Sequence, residues 1–188
     1  MIPEIHIEDY NYNLPDERIA KYPLSDRDAS KLLLYKGTPE EKLFRKISEY
    51  LPENSMMVFN DTKVVPARLH FQRETGAHIE IFCLEPVCPN EYVTMFAETR
   101  RCRWKCIVGN VKRWKNDILH LYNPLNDTAI DTMNLRAELI ERSGETSVVE
   151  FSWTDGAPFS RVLEVCGSVP IPPYLNRDTE ELDLERYQ

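Results

Sequence analysis

From residue 67 to residue 153 the apolar side chains recur at every second position, and nothing else in the chain restricts its fold as tightly. In "ARLHFQR" Ala67, Leu69 and Phe71 share one face, and "ETGA" follows as a turn. Ile79, Ile81 and Cys83 alternate along "HIEIFCLE". The segments "YVTMFAE", "RCRWKCIVG", "DILHLYN", "TAIDTMNLRAELIE" and "TSVVEFSW" read as further strands, separated by "PN", "GN", "NPLND" and "SGE". Short strands with such turns between them predict an antiparallel meander closed into a small barrel.

The flanks have a different texture. "LPDERIAKY" places Pro15 and two acids at a helix start, and "EEKLFRKISEYL" spaces Leu43, Phe44, Ile47 and Leu51 at helical intervals. "KLLLYK" and "MMVF" read as strands, and "FSRVLEVCG" as a short helix ending at Gly167. "SVPIPPYL" must be extended, because its prolines exclude helix. The expected fold is α+β: an antiparallel β-barrel inserted into an α/β domain that these residues leave incomplete. Residues 1–66 form its N-terminal part, 67–153 the barrel and 154–188 the return, with the remainder of the outer domain absent.

Composition narrows the function classes. The chain is 42% hydrophobic and 29% charged, and no apolar run approaches the roughly 20 residues of a membrane span. The acidic "MIPEIHIEDYNYN" start is no secretory signal, and five cysteines are an odd number, so free thiols in a cytoplasmic protein are expected. The net charge of −8 argues against nucleic acid, but its distribution does not. Arg100, Arg101, Arg103, Lys105, Lys112, Arg113 and Lys115 follow one another with no acid among them, whereas Asp178, Glu180, Glu181, Asp183 and Glu185 crowd the end.

Several chemistries lack their residues. The glycines never form G-x-G, so a dinucleotide fold, a P-loop or a glycine-rich adenosylmethionine loop has no support. Cys102-x3-Cys106 and Cys83-x4-Cys88 could suggest a metal, but no compact C-x2-C pair with a following C/H pair exists; on a strand Cys102, Trp104, Cys106 and Val108 share a face and read as core. His70, His78 and Glu80 read as a solvated outer face, and no metal is expected. With Trp104 inward, Arg101, Arg103 and Lys105 project outward in a row that "VKRWK" continues. That row, with Lys112, Arg113 and Lys115, can track phosphates, and an exposed Trp114 can stack on a base. A solvated strand face with Trp114 in the core is the competing reading.

The remaining candidate is "FNDTK". Where a plain turn would ask for glycine, Asn60, Asp61, Thr62 and Lys63 stand together, with Arg68 just beyond. Asn and Asp serve turns by bonding their own backbone. The same carboxylate, amide, hydroxyl and cations can bind ribose hydroxyls or orient a proton transfer.

Three separated blocks, "LPDERIAKYPLSDRDASKLLLY", "MMVFNDTKVVPARL" and "GSVPIPPYLNRDTEELDLERYQ", together resemble the S-adenosylmethionine:tRNA ribosyltransferase-isomerase family. The resemblance implies an α/β domain carrying an inserted barrel, and a chain that is the N-terminal fragment of a longer protein. It implies that adenosylmethionine, as substrate rather than cofactor, gives its ribosyl group to a 7-aminomethyl-7-deazaguanine base at the wobble position of a tRNA. Epoxyqueuosine forms, and adenine and methionine are released. Asp61 would then hold ribose hydroxyls or assist proton removal, with Asn60 and Thr62 as neutral hydrogen-bonding groups. Lys63 and Arg68 would meet the donor carboxylate or the tRNA backbone, in a cleft between barrel and outer domain. Arg27 also matches and would bind substrate, or pair structurally with Asp28. Alone, the fragment would be inactive and would self-associate through its outer-domain faces. The stretch "RRCRWKCIVGNVKRWKND" departs from the family's usual barrel, where a shorter basic stretch leads to a turn resembling Lys-Pro-Gly. The alternatives are a paralogue with another substrate and a non-catalytic RNA-binding barrel.

Overall fold

A computed structural model describes residues 4–115, 117–177 and 180–186, in two compact units. The first takes in the chain up to Asp61 together with residues 172–178, and the second runs from Thr62 to Ile171 and resumes in the last residues. Asp178, in the acidic stretch, lies outside the described residues.

In the first unit strands β1 (Lys31–Tyr35) and β2 (Pro39–Leu43) form an antiparallel hairpin turned at Gly37, whose φ of 94° an L side chain rarely adopts. The rest is short 3-10 turns at Ile7–Tyr10, Asp16–Arg18, Arg27–Ala29 and Phe44–Glu49. Two helical expectations therefore fail. "LPDERIAKY" makes a single 3-10 turn. The front half of "EEKLFRKISEYL" is β2, because pairing of Glu40–Leu43 with β1 satisfies their backbone across the hairpin. "MMVF" forms no strand. From residues 172–178 the Arg177 Nε donates to the Lys21 carbonyl at 2.9 Å, and its guanidinium stacks on Tyr22 at 4.6 Å.

The second unit is the barrel that the alternation predicts. Its strands are β3 (Arg68–Gln72), β4 (His78–Cys88), β5 (Arg101–Gly109), β6 (Leu119–Leu121), β7 (Arg136–Ser143) and β8 (Thr146–Ser152). They close in the order β3-β4-β5-β8-β7-β6, every pairing antiparallel. Leu69, Phe71, Ile79, Ile81, Cys83, Trp104, Cys106, Val149 and Phe151 fill the interior. Two segments expected as strands contain helices. "YVTMFAE" is α1 (Tyr92–Ala97), since Tyr92, Met95 and Phe96 also satisfy i, i+3, i+4 spacing and Met95 is fully buried. "TAIDTM" is α2 (Thr128–Met133), started by the Asp127 carboxylate accepting from the Ala129 N–H and stopped by Asn134 at φ 47°.

Helix α3 (Phe159–Cys166) packs Phe159, Val162 and Leu163 into the barrel core. The Phe159 ring lies 5.8 Å from Trp104, 5.7 Å from Phe151 and 5.4 Å from Trp153, centroid to centroid. Helix α4 (Glu181–Arg186) lies in the second unit's returning segment. No described helix is long and apolar enough to cross a membrane.

Candidate functional site

The polar link straddles the limit between the units: Asn60 and Asp61 end the first, and Thr62 and Lys63 open the second, all four exposed. What fixes the second half is Gly167. A Cβ on Gly167 would stand 1.9 Å from the Pro66 carbonyl oxygen, so only glycine lets the end of α3 touch the link backbone. Just beyond, Arg68 and Ser168 form a β-bridge, with Ser168 N–H donating to the Arg68 carbonyl at 2.8 Å and the reverse bond at 3.3 Å.

This clamp brings Lys63 onto a pocket of about 800 Å³ lined also by Val64, Val65, Pro66, Phe96, Ser160, Glu164 and Val165. Pockets of this size hold small-molecule ligands, with apolar walls and a few polar groups that orient them. Here the polar groups are the Lys63 ammonium, the Ser160 hydroxyl and the Glu164 carboxylate. Ser160 and Glu164 sit four apart on α3 and therefore on one side of it. Glu164 also pairs with Arg161 at 3.0 Å, an exposed pair of little energetic weight. Sequence reading left Ser160 and Glu164 out, although the helix that aligns them was legible in "FSRVLEVCG".

Arg68 is half-buried in the same unit. Among the described residues its Nε has no hydrogen-bond partner, it lies 3.5 Å from the Glu80 carboxylate, and its guanidinium is 6.0 Å from the Phe82 ring centre. A guanidinium so weakly engaged can still take up an anionic group. Arg27 lies in the first unit, exposed on a 3-10 turn, and forms no ion pair with Asp28 among the described residues. The structural-pair reading of Arg27 therefore fails.

The basic window divides. Arg101 and Arg103 are exposed on the outer face of β5 and Lys105 is half-buried, but Arg103 Nε donates to Glu150 at 2.7 Å and Lys105 pairs with Glu85 at 3.3 Å. Glu150 beside Arg103 holds that guanidinium's pKa above its ordinary value. Lys112 and Arg113 are exposed on a 3-10 turn after β5, and Lys115 follows. Trp114 departs from the base-stacking expectation: only 1% exposed, it lies in the core and cannot stack on a base. Its indole N–H donates to the Asp117 carbonyl at 2.7 Å, and the Asp117 carboxylate accepts from Arg73 at 2.7 Å. The Arg73 guanidinium keeps the Asp117 carboxyl below the usual carboxylate range.

The cysteines are free thiols, and three of them (Cys83, Cys102, Cys106) face the barrel core. Burial raises the thiols of Cys83 and Cys102 far above normal, and that of half-buried Cys166 to about 12, so these three stay protonated and poorly nucleophilic. No group of three or more His, Cys, Asp or Glu suited to a metal occurs among the described residues. His70 and His78 stand on the outer face as expected. His70 meets the Ser168 hydroxyl at 3.5 Å, and the His78 ring packs edge-on against Tyr122 at 4.5 Å.

Residues 7–188 match the family described as queuosine biosynthesis protein. The chain is 37% identical over 186 residues to the S-adenosylmethionine:tRNA ribosyltransferase-isomerase of Trichlorobacter lovleyi, covering 97% of this chain and 48% of that protein. The protein of the same name from Pelobacter propionicus is 33% identical over 97% of this chain and 48% of its own length. That of Acinetobacter baumannii strain SDF is 37% identical over 98% of this chain and 46% of its own. The chain thus spans about half the length of the curated relatives it matches.

Proposed function

This chain belongs to the queuosine biosynthesis protein family, and from that premise we propose that it is the barrel-bearing part of an S-adenosylmethionine:tRNA ribosyltransferase-isomerase. The acceptor is a tRNA carrying 7-aminomethyl-7-deazaguanine, the product is epoxyqueuosine, and a tRNA substrate puts the reaction in the cytoplasm. The observation that best supports the reading is the pocket beside the link. Lys63 and Glu164 line it with opposite charges, and the amino-acid end of adenosylmethionine carries a carboxylate and an ammonium that match them. Val64, Val65, Pro66, Phe96 and Val165 supply apolar surface for the rest of the donor.

The donor's sulfonium is already a good leaving group, so the protein's task is to take a proton from the carbon beside it and to place the ribosyl group. Asp61, two residues before Lys63, is the carboxylate for that proton or for the ribose hydroxyls. Asn60 and Thr62 flank it with neutral hydrogen-bonding groups, and Arg68 and Arg27 serve anionic parts of the substrates. The 188 residues are not sufficient alone. In the first unit Leu33, Tyr35, Met56, Val58 and Phe59 are exposed by 75, 72, 88, 87 and 67%, an apolar surface through which the isolated chain self-associates.

Replacing Lys63 by alanine in the complete gene product tests the donor site. The side chain is exposed, so the melting temperature should not move, while KM for adenosylmethionine should rise about tenfold with kcat little changed. Unaltered KM would remove Lys63 from the donor site.

A further inference from the structure

The structure separates the cations of the basic window by what surrounds them, and it adds one that the window does not contain. On the outer face of β5 two of the three cations are answered. Arg103 lies against Glu150, Lys105 against Glu85, and Glu138 stands opposite Glu150 on the next strand, so this face offers acids as well as bases. A phosphate chain laid along it would meet three carboxylates.

The turn after β5 is different. Lys112, Trp114 and Lys115 line an open cleft of about 650 Å³ together with Leu139, Ile140, Glu141 and Arg142 of β7. Lys112, Arg113 and Lys115 form no ion pair among the described residues, and Glu141 is the single acid on the rim. Arg142 reaches this place because β7 is irregular. The register against β8 shifts between Leu139 and Glu141, so Arg142 pairs with Ser147, which is 5% exposed and faces the interior. A bulge of this kind switches the side on which the following residues point. Arg142 therefore turns to the mouth of the barrel, where its guanidinium donates to the Val111 carbonyl at 3.2 Å and also to the carbonyl of Trp114. It holds the turn that carries Lys112, Arg113 and Lys115, with Trp114 anchored in the core beneath.

We propose that this cleft, lined by Lys112, Lys115 and Arg142 with Arg113 exposed on the same turn, is where the sugar–phosphate backbone of the tRNA docks, and that the outer face of β5 is not. The proposal rests on the reading that the acceptor is a tRNA, and it names the surface that receives it. Unpaired cations on a turn fixed by core packing release counterions on binding phosphate without first breaking internal ion pairs. The −8 net charge is no obstacle, because the cleft is locally positive while acids are displaced to other faces.

The test compares three forms of the chain for tRNA binding across a salt series: the unaltered protein, Lys112→Gln/Arg113→Gln/Lys115→Gln, and Arg101→Gln/Arg103→Gln/Lys105→Gln. All substituted positions lie on the surface, and matching melting curves establish that the fold is kept. The cleft variant should bind at least about tenfold more weakly at low salt, with the slope of log K against log salt shallower by roughly 2, about 0.7–0.9 for each phosphate no longer neutralised. The strand variant should stay within about threefold of the unaltered protein, because removing Arg103 and Lys105 also frees Glu150 and Glu85 to repel phosphate. Equal affinity and slope for the cleft variant, or a larger loss for the strand variant, overturns the assignment while leaving the tRNA reading intact. No tRNA binding by the unaltered chain, or tighter binding to phosphatidylserine vesicles than to tRNA, overturns both.

Discussion

Asp61→Asn in the complete gene product is expected to lower the rate of ribosyl transfer at least about a hundredfold, the scale on which a positioned acid–base group contributes. The substitution keeps size and hydrogen-bonding shape and removes only the charge and the capacity to take a proton. Asp61 is exposed in a stretch without regular structure, so neither core nor ladder is disturbed, and the melting temperature should shift by less than about 1 °C. A turn-forming role gives the opposite signature, because asparagine serves a turn as well as aspartate does. Turnover within a few-fold of the parent would assign Asp61 to the turn alone.

Gly167→Ala is expected to destabilise the barrel unit by about 3 kcal/mol, which lowers Tm by about 6–12 °C for a chain of this size. The added methyl group meets the Pro66 carbonyl oxygen at 1.9 Å and that of Leu163 at 2.6 Å, both backbone atoms that cannot swing aside. The φ of Gly167 is −91°, so the cost comes from the clash and not from the residue's own conformation. Relief requires α3 to back away from the link, which strains the Arg68–Ser168 bridge and opens the Lys63 pocket. Donor affinity should therefore fall together with stability. An unchanged melting curve would show that the link and α3 are not clamped.

The barrel was legible because its signal is two-fold alternation bounded by turn residues, and burial rewards that pattern directly. Cys102, Trp104, Cys106 and Val108 show it: all four face inward at 2, 3, 0 and 9% exposure. Helix and strand are indistinguishable in sequence where one segment satisfies both periods. Thr128–Met133 is such a segment, and Asp127 and Asn134, one on either side, were the cap signals that could have revealed it. The first unit departs from its local pattern for a different reason: hairpin pairing decides the state of Glu40–Leu43 against a local helical spacing. In the candidate site, the link and the basic window could be named from sequence. Their surroundings could not, because Glu150 and Glu164 reach them only through register and helix packing. Arg142 depends on a one-residue irregularity in β7 that alternation cannot reveal. Trp114 shows the limit from the other side, since an aromatic among cations suits base stacking and core packing equally well until burial is known.

Release of adenine from adenosylmethionine, measured with tRNA bearing 7-aminomethyl-7-deazaguanine, bears most directly on the proposed activity. The complete gene product should release adenine only when that tRNA is present, one adenine for each base converted to epoxyqueuosine, and the 188-residue chain alone should release none. A complete product that binds the tRNA yet releases no adenine would contradict the ribosyltransferase reading and leave an RNA-binding barrel. Equal rates from the 188-residue chain would contradict the claim that these residues hold only part of the site.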